Sequence, residues 1–355
     1  MEIPQLRIGS TTIPIPIVQG GMGVRISLSG LAAAVANEGG IGTISSIGLG
    51  DPEVGKLKYE KVMREALSAE IRKAQGMTDG ALAMNFMGVL SNVEDLIQAT
   101  VSAGIKIIVY GAGLPTKLPV LVPDPEVSLV PIVSSARVAD LIIRTWTRRS
   151  DRIPDAFILE GPLAGGHLGF SLEQLEDTPS YALEILLPAL LEVIRPVEDR
   201  IGRKIPVIAA GGIYTGGDIA RMLRLGASGV QMGTRFVVTE ECDAAPEFKQ
   251  AFLDATEEDI SITASPVGMP GRAIHNRFME DLEQDRLDKL QCPYQCLTAC
   301  HIATARYCIA KALLNSAVGD VDHGLIFCGA NAYRVDRIMT VKELIAELLA
   351  ELSAA

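Results

Sequence analysis

What most limits the folds open to this chain is a recurring unit: a short apolar run that stops at glycine or a small polar residue and is followed by a stretch with helical spacing. Residues 15–18 end in Gln19, Gly20, Gly21, Met22 and Gly23, and residues 41–46 end in small polar side chains. Residues 81–87 carry Asn85, residues 105–110 give way to Gly111, Ala112 and Gly113, and residues 129–133 to Ser134 and Ser135. The last three runs, 156–159, 207–210 and 229–232, lead into Glu160, into Gly211 and Gly212, and into Gly233 and Thr234. Runs that are apolar at every position read as strands buried on both faces. Between them, residues 28–37, 58–75, 93–103, 138–147, 181–194 and 217–225 have helical spacing. Eight such units predict an α/β fold, a TIM (β/α)8 barrel with its site at the C-terminal ends of the strands. A doubly wound open sheet would gather its glycines into one early fingerprint, whereas here they recur after strands one, four, six, seven and eight.

A barrel accounts for only part of the length. Of 355 residues, residues 1–243 are read as the main part of the barrel and 244–335 as a mainly helical C-terminal cap. That cap holds a turn at residues 268–272 and a cysteine-containing helical segment; residues 336–355 are read as a helix packing on the barrel. The 48% hydrophobic content is enough for a large core, and a net charge of -11 argues against a nucleic-acid partner. No apolar run reaches the roughly 18 residues needed to span a bilayer, and the start MEIPQLRIGS has neither a basic nor an apolar leader region. A cytoplasmic location is therefore expected. Small molecules are the expected partners, with a homodimer as the candidate assembly.

Chemistry concentrates at the strand ends. In ILEGPLAGGHLGF, residues 158–170, a buried run stops at Glu160 and yields to glycines around a single histidine, His167. The pairs Gly211-Gly212 and Gly233-Thr234 fall in the loops after strands seven and eight, where barrels hold phosphate on backbone N–H groups. A phosphate site without a P-loop suggests a phosphorylated cofactor, and FMN fits the neighbouring features. Gln19, Gly20, Gly21 and Met22 would let backbone approach a flat ring, and Asn85 would meet its edge. The expected cofactor set is completed by Glu160, Gly166, Ala210, Gln231 and Met232.

Taken together, VQGGM at 18–22, AAAVANEGGIGTISS at 32–46, LAGGHLGF at 163–170, PVIAAGGI at 206–213, GVQMGTRF at 229–236 and GMPGRAIHNRF at 268–278 resemble the nitronate monooxygenase family, formerly called 2-nitropropane dioxygenases. A weaker echo lies in GDVDHGLIFCGANAYRV at 319–335. The same superfamily includes FMN-dependent enoyl-ACP reductases. The resemblance implies a barrel holding non-covalent FMN, its phosphate on the Gly211-Gly212 and Gly233-Thr234 loops, and His167 as the catalytic residue beside the flavin. It implies oxidation of alkyl nitronates, with an NAD(P)H-dependent enoyl-ACP reductase or a flavin and iron–sulfur electron-transfer protein as the alternatives. Where the family often has a glutamate directly before Ala-Gly-Gly-His, this chain has Leu163, and its acid sits earlier, at Glu160.

CPYQCLTACHIATARYC, residues 292–308, has no counterpart in that resemblance. With Pro293 at a first helical position, Cys292, Cys296 and Cys300 would follow one another at i+4 steps on one helix face. Cys308 falls off that face, which makes Cys328 the better fourth ligand. An iron–sulfur cluster on Cys292, Cys296, Cys300 and Cys328, a zinc site, and plain buried thiols are all compatible with this spacing.

Overall fold

In the computed structural model, which describes residues 2–50, 56–287, 290, 292, 296–298 and 300–355, the apolar runs become eight parallel strands. They are β1 (Ile17–Gln19), β2 (Ile41–Ser45), β3 (Ala81–Met87), β4 (Ile107–Gly111), β5 (Ser128–Val133), β6 (Phe157–Glu160), β7 (Val207–Ala210) and β8 (Gly229–Met232). Each pairs with its sequence neighbour, and β8 pairs with β1 to close the barrel. Alternation explains why no strand has a polar face. Val18, Ile41, Ala83, Val130, Ile158 and Ile208 form one buried cluster with Leu6, Ile8 and Ile13 of an N-terminal hairpin. Their neighbours Ile17, Ile44, Met84, Leu129, Phe157 and Val230 belong to the core shared with the helices.

The outer ring consists of α1 (Ser29–Asn37), α2 (Lys56–Gln75), α3 (Val93–Ser102), α4 (Ala136–Ser150), α5 (Leu183–Ile201) and α6 (Gly216–Arg224). After β4 and β8 the helix shrinks to single turns, Leu118–Leu121 and Thr234–Val237. Ser135 caps α4 by accepting from the Val138 N–H, so the helix starts before the apolar periodicity does. Helix α5 runs past the expected end near residue 194. It carries Pro188 and Pro196 inside and stops at Gly202, whose left-handed φ of 67° suits a residue without Cβ.

The segment after the barrel combines helices α7 (Pro246–Asp254), α8 (Arg277–Glu283) and α9 (Ile309–Ala317) with an antiparallel hairpin, β9 (Ile260–Ala264) and β10 (Pro270–Ile274). The expected turn at 268–272 is thus displaced. Gly268, at φ 80°, turns the chain, while Pro270, Gly271 and Arg272 already lie in a strand. That strand adds the two-residue strand Gly166–His167 at its other edge, pairing Gly271 with His167 and Arg272 with Gly166.

The helix expected across the cysteines is also corrected. Pro293 lies outside the described residues, but Leu297 bridges Leu90, the Thr298 N–H donates to the Val89 carbonyl and the Ser91 N–H to that of Cys296. Backbone engaged in extended pairing cannot make i→i−4 bonds. Residues 301–308 form turns and bends, and Cys308 is only the N-cap of α9. The C-terminal helix α10 (Val341–Ala354) starts from a Thr340–Glu343 capping box. It lies against α6, where the Gly216 N–H donates to Glu351 Oε2 at 2.6 Å. Among the described residues, no helix is long and apolar enough to cross a membrane.

Candidate active site

At the C-terminal ends of the strands lies a cavity of about 980 Å3. Gly20, Gly21 and Met22 after β1, Asn85 of β3 and Glu160 of β6 all line it. On the other side it is lined by Gly166 and His167, by Ala210, Gly211 and Gly212, and by Gln231, Met232, Gly233 and Thr234. Residues up to about two hundred positions apart therefore meet at one wall, because the barrel places every strand end at the same level. Gly21 is forced: a Cβ there would collide with Asn85. Gln19 is the exception among the expected residues. It is fully buried, its Nε2 donates to the Gly20 carbonyl, and its Oε1 accepts from the Thr43 N–H at 2.9 Å. Its side chain ties β1 to β2 and does not line the cavity.

His167 is held by the hairpin. Its Nε2 lies 2.7 Å from Ser265 Oγ, and its ring meets Phe327 edge-on, with centroids 4.9 Å apart and planes at 74°. Burial lowers its pKa to about 4, so the imidazole is neutral at neutral pH. The hydrogen-bond partner is a hydroxyl, and it comes from a segment nearly a hundred residues away.

Glu160 ends β6 in the cavity wall. Burial raises its carboxyl to about 8, against the opposing pull of the Arg272 guanidinium. Arg272 is itself buried, and desolvation lowers its pKa. Its Nη1 donates to the Pro162 carbonyl at 2.8 Å and to that of Ala164. One guanidinium from β10 thus fixes the loop between Glu160 and His167, since the two N–H groups of its Nη1 serve both carbonyls at once.

The glycine loops after β7 and β8 are closed from the C-terminal segment. Gly211 and Gly212 have φ of 97° and 81°, values that leave their backbone free of side chains. Asn331 Nδ2 donates to the Gly212 carbonyl at 2.8 Å, the Gly329 N–H to Thr234 Oγ1 at 3.1 Å, and the Ala330 N–H to the Leu163 carbonyl at 3.1 Å. Ser265, Arg272, Phe327, Gly329 and Asn331 are the contributions that reading by strand and loop missed. The motifs at 268–278 and 319–335 mark their neighbourhood, without indicating which atoms they reach.

Three of the four expected cysteines, Cys292, Cys296 and Cys300, lie near one another, and the fourth neighbour is Cys308. Cys328 is buried beside Arg272 and its thiol is pushed up to about 12, chiefly by desolvation. Cys296 is also pushed up to about 12, by burial and then by Cys308, Cys292 and Cys300. Its thiol neighbours thus include Cys308 in the place expected of Cys328. Among the described residues, no three His, Cys, Asp or Glu side chains are grouped so as to hold a metal ion. Cys292 and Cys300 of the expected set thus neighbour Cys296, whereas Cys328 lies beside Arg272.

The pattern of the nitronate monooxygenase family matches residues 5–351. Among characterised sequences, the chain is 28% identical over 268 residues to the (3aS,4S,5R,7aS)-5-hydroxy-7a-methyl-1-oxo-octahydro-1H-indene-4-carboxyl-CoA dehydrogenase of Mycobacterium tuberculosis. That match covers 76% of this chain but 65% of the relative, less than two thirds of its length. It is 28% identical over 301 residues to a probable nitronate monooxygenase of Staphylococcus aureus, covering 80% and 82% of the two chains. FabK from Thermotoga maritima superposes with a TM-score of 0.73 at 27% identity, over 96% of this chain and 94% of that one. The nitroalkane oxidase of Streptomyces ansochromogenes shares the fold, with a TM-score of 0.74 at 22% identity over 96% of each chain.

Proposed function

The chain belongs to the nitronate monooxygenase family and is an oxidoreductase, and on that footing we propose that it works with FMN in the cavity at the strand ends. One observation carries the reading. Asn85 Oδ1 and Gln231 Oε1 are buried where these residues line the cavity, with no hydrogen-bond partner among the described residues. A buried acceptor left unsatisfied costs about 1–3 kcal/mol, and FMN would bring donors to such acceptors in its ring N–H and its ribityl hydroxyls.

The residues present fit such a group. Gly211, Gly212, Gly233 and Thr234 would hold the phosphate, Gly20, Gly21 and Met22 would face the ring, and Asn85 and Gln231 would meet its edge. Glu160, Gly166, Ala210 and Met232 would complete the wall. FMN, when bound, supplies a two-electron acceptor or donor. His167, neutral and oriented by Ser265, takes or returns a proton on the substrate, or donates a hydrogen bond to a substrate oxygen. Glu160 keeps its proton at neutral pH and brings no negative charge to the site. Phe248, Phe252, Leu313 and Leu314 form an apolar wall that excludes water.

Nitronate oxidation is the activity that gives the family its name, and acyl thioesters are the second substrate class. The cavity favours the thioester. Its described lining holds one cation, Lys311, against a protonated Glu160 and a neutral His167. An anionic nitronate finds little compensation there, whereas an uncharged thioester needs only a donor at its carbonyl. The carboxyl-CoA dehydrogenase among the relatives points the same way. The test is anaerobic mixing of the flavin-loaded protein with propionate-3-nitronate, NADPH, NADH and a panel of acyl-CoA thioesters. Bleaching by a saturated or hydroxylated thioester, or reoxidation of the NAD(P)H-bleached flavin by an unsaturated one, is expected. Bleaching by the nitronate alone, with thioesters inert in both directions, would overturn the thioester reading.

A further inference from the structure

A second cavity, of about 730 Å3, lies between α4 and residues 169–186. Arg137, Arg144 and Arg148 line it from α4, spaced by seven and four residues so that all three fall on one helix face. Arg144 is paired with Asp140, while Arg137 and Arg148 have no ion-pair partner among the described residues. Among the described residues no aspartate or glutamate lines this groove, although the chain as a whole carries a net charge of -11. Two arginines without an ion-pair partner and a third paired with Asp140, lining one concave surface of an acidic protein, suit a multiply charged anion.

The groove has an aromatic and apolar side as well. Phe170 and Tyr181 meet edge-on, with centroids 6.2 Å apart, and Leu141 of α4 is 46% exposed. A flat apolar base joined to several phosphates matches both halves, as a nucleotide does. The groove also adjoins the active site. Ser134, Val138 and Gly169 line both cavities, and Ser134 Oγ donates to the Gly169 carbonyl at 2.8 Å. At this boundary Ser134 and Gly169 touch, and a Cβ at Gly169 would come within 3.0 Å of Ser134 Oγ.

We propose that this groove binds the 3′-phosphoadenosine diphosphate end of a coenzyme A thioester, whose pantetheine arm crosses at Ser134 and Gly169 to present the acyl group to His167. The site rests on the thioester reading above. Coenzyme A is the occupant because it carries the acyl thioester proposed for the adjoining cavity and joins a base to several phosphates, as the two sides of the groove require.

The experiment is calorimetric titration of the flavin-loaded protein with coenzyme A, 3′,5′-ADP and NADPH. Wild type is compared with the double variants Arg137→Glu/Arg148→Glu and Arg137→Lys/Arg148→Lys. Coenzyme A and 3′,5′-ADP should bind wild type in a salt-sensitive manner, and charge reversal should weaken both at least about tenfold. The lysine variant should stay within a few-fold of wild type, and melting temperature controls for folding. Coenzyme A binding that is absent from wild type, or unmoved by charge reversal, would overturn the proposal. So would NADPH binding that is lost on charge reversal while coenzyme A fails to bind. Flavin content is measured on each sample: loss of FMN with coenzyme A binding intact counts against the flavin reading alone, and the reverse counts against the groove alone.

Discussion

In the proposed function His167 works through being uncharged. Burial holds its pKa near 4 against an ordinary 6.5, so the neutral form that can accept a substrate proton persists well into acid. Turnover should stay level down to about pH 5 and fall only below it, as His167 protonates. His167→Gln should keep FMN bound while turnover drops about 10²–10⁴-fold; unchanged turnover would remove the histidine from the mechanism. Folding stability responds to the same burial. Between pH 4 and 6.5 the unfolded chain binds a proton at His167 that the folded chain does not, so this residue makes stability rise with pH across that window. Glu160 has the opposite sign: from its ordinary 4.5 to about 8 the folded chain keeps a proton that the unfolded chain has lost, so stability falls as pH rises. The two oppose each other below pH 6.5, and above it only Glu160 remains. Melting curves of Glu160→Gln should therefore lose the decline between pH 6.5 and 8 that wild type shows; an unaltered slope there would mean Glu160 is not held protonated.

The elements divide into those with a local signature and those without. Barrel strands are legible because both faces are covered, so Phe157, Ile158 and Leu159 can be apolar in succession. The helices are legible by their period, yet α5 runs on through Pro196 because packing and the Gly202 cap outweigh the local cost of proline. The β9–β10 hairpin was not legible: Gly268, Pro270 and Gly271 have turn composition, and their strand character comes from pairing across to residues 260–264 and to Gly166 and His167. The cysteine spacing suggested a helix for a parallel reason, since nothing local announces that residues 296–298 are engaged by residues 89–91. Arg272 shows what the hairpin does for the site. Arg272→Lys keeps the charge but loses the fixed planar Nη1 that serves Pro162 and Ala164, at an expected cost of about 1.5–3 kcal/mol. Turnover should fall with FMN still bound, because the loop carrying His167 loosens while the glycine loops stay in place. Loss of FMN together with turnover would show that Arg272 supports the whole cavity.

For the molecule as a whole, the barrel supplies the wall and the C-terminal segment supplies what holds the chemistry in place. Asn85, Glu160, Gly212 and Gln231 could be found from the sequence because the fold sends every strand end to one level. Ser265, Phe327 and Asn331 could not, because they reach the site from a part of the chain with no repeat to number them by. On the proposed reading this shared cavity is built around FMN. The most direct test is to strip the purified protein of bound flavin, add FMN, and measure binding by the quenching of flavin fluorescence. One tightly bound FMN per chain, weakened in Asn85→Leu and Gly212→Val, is the predicted result; a folded protein that takes up no FMN would contradict it.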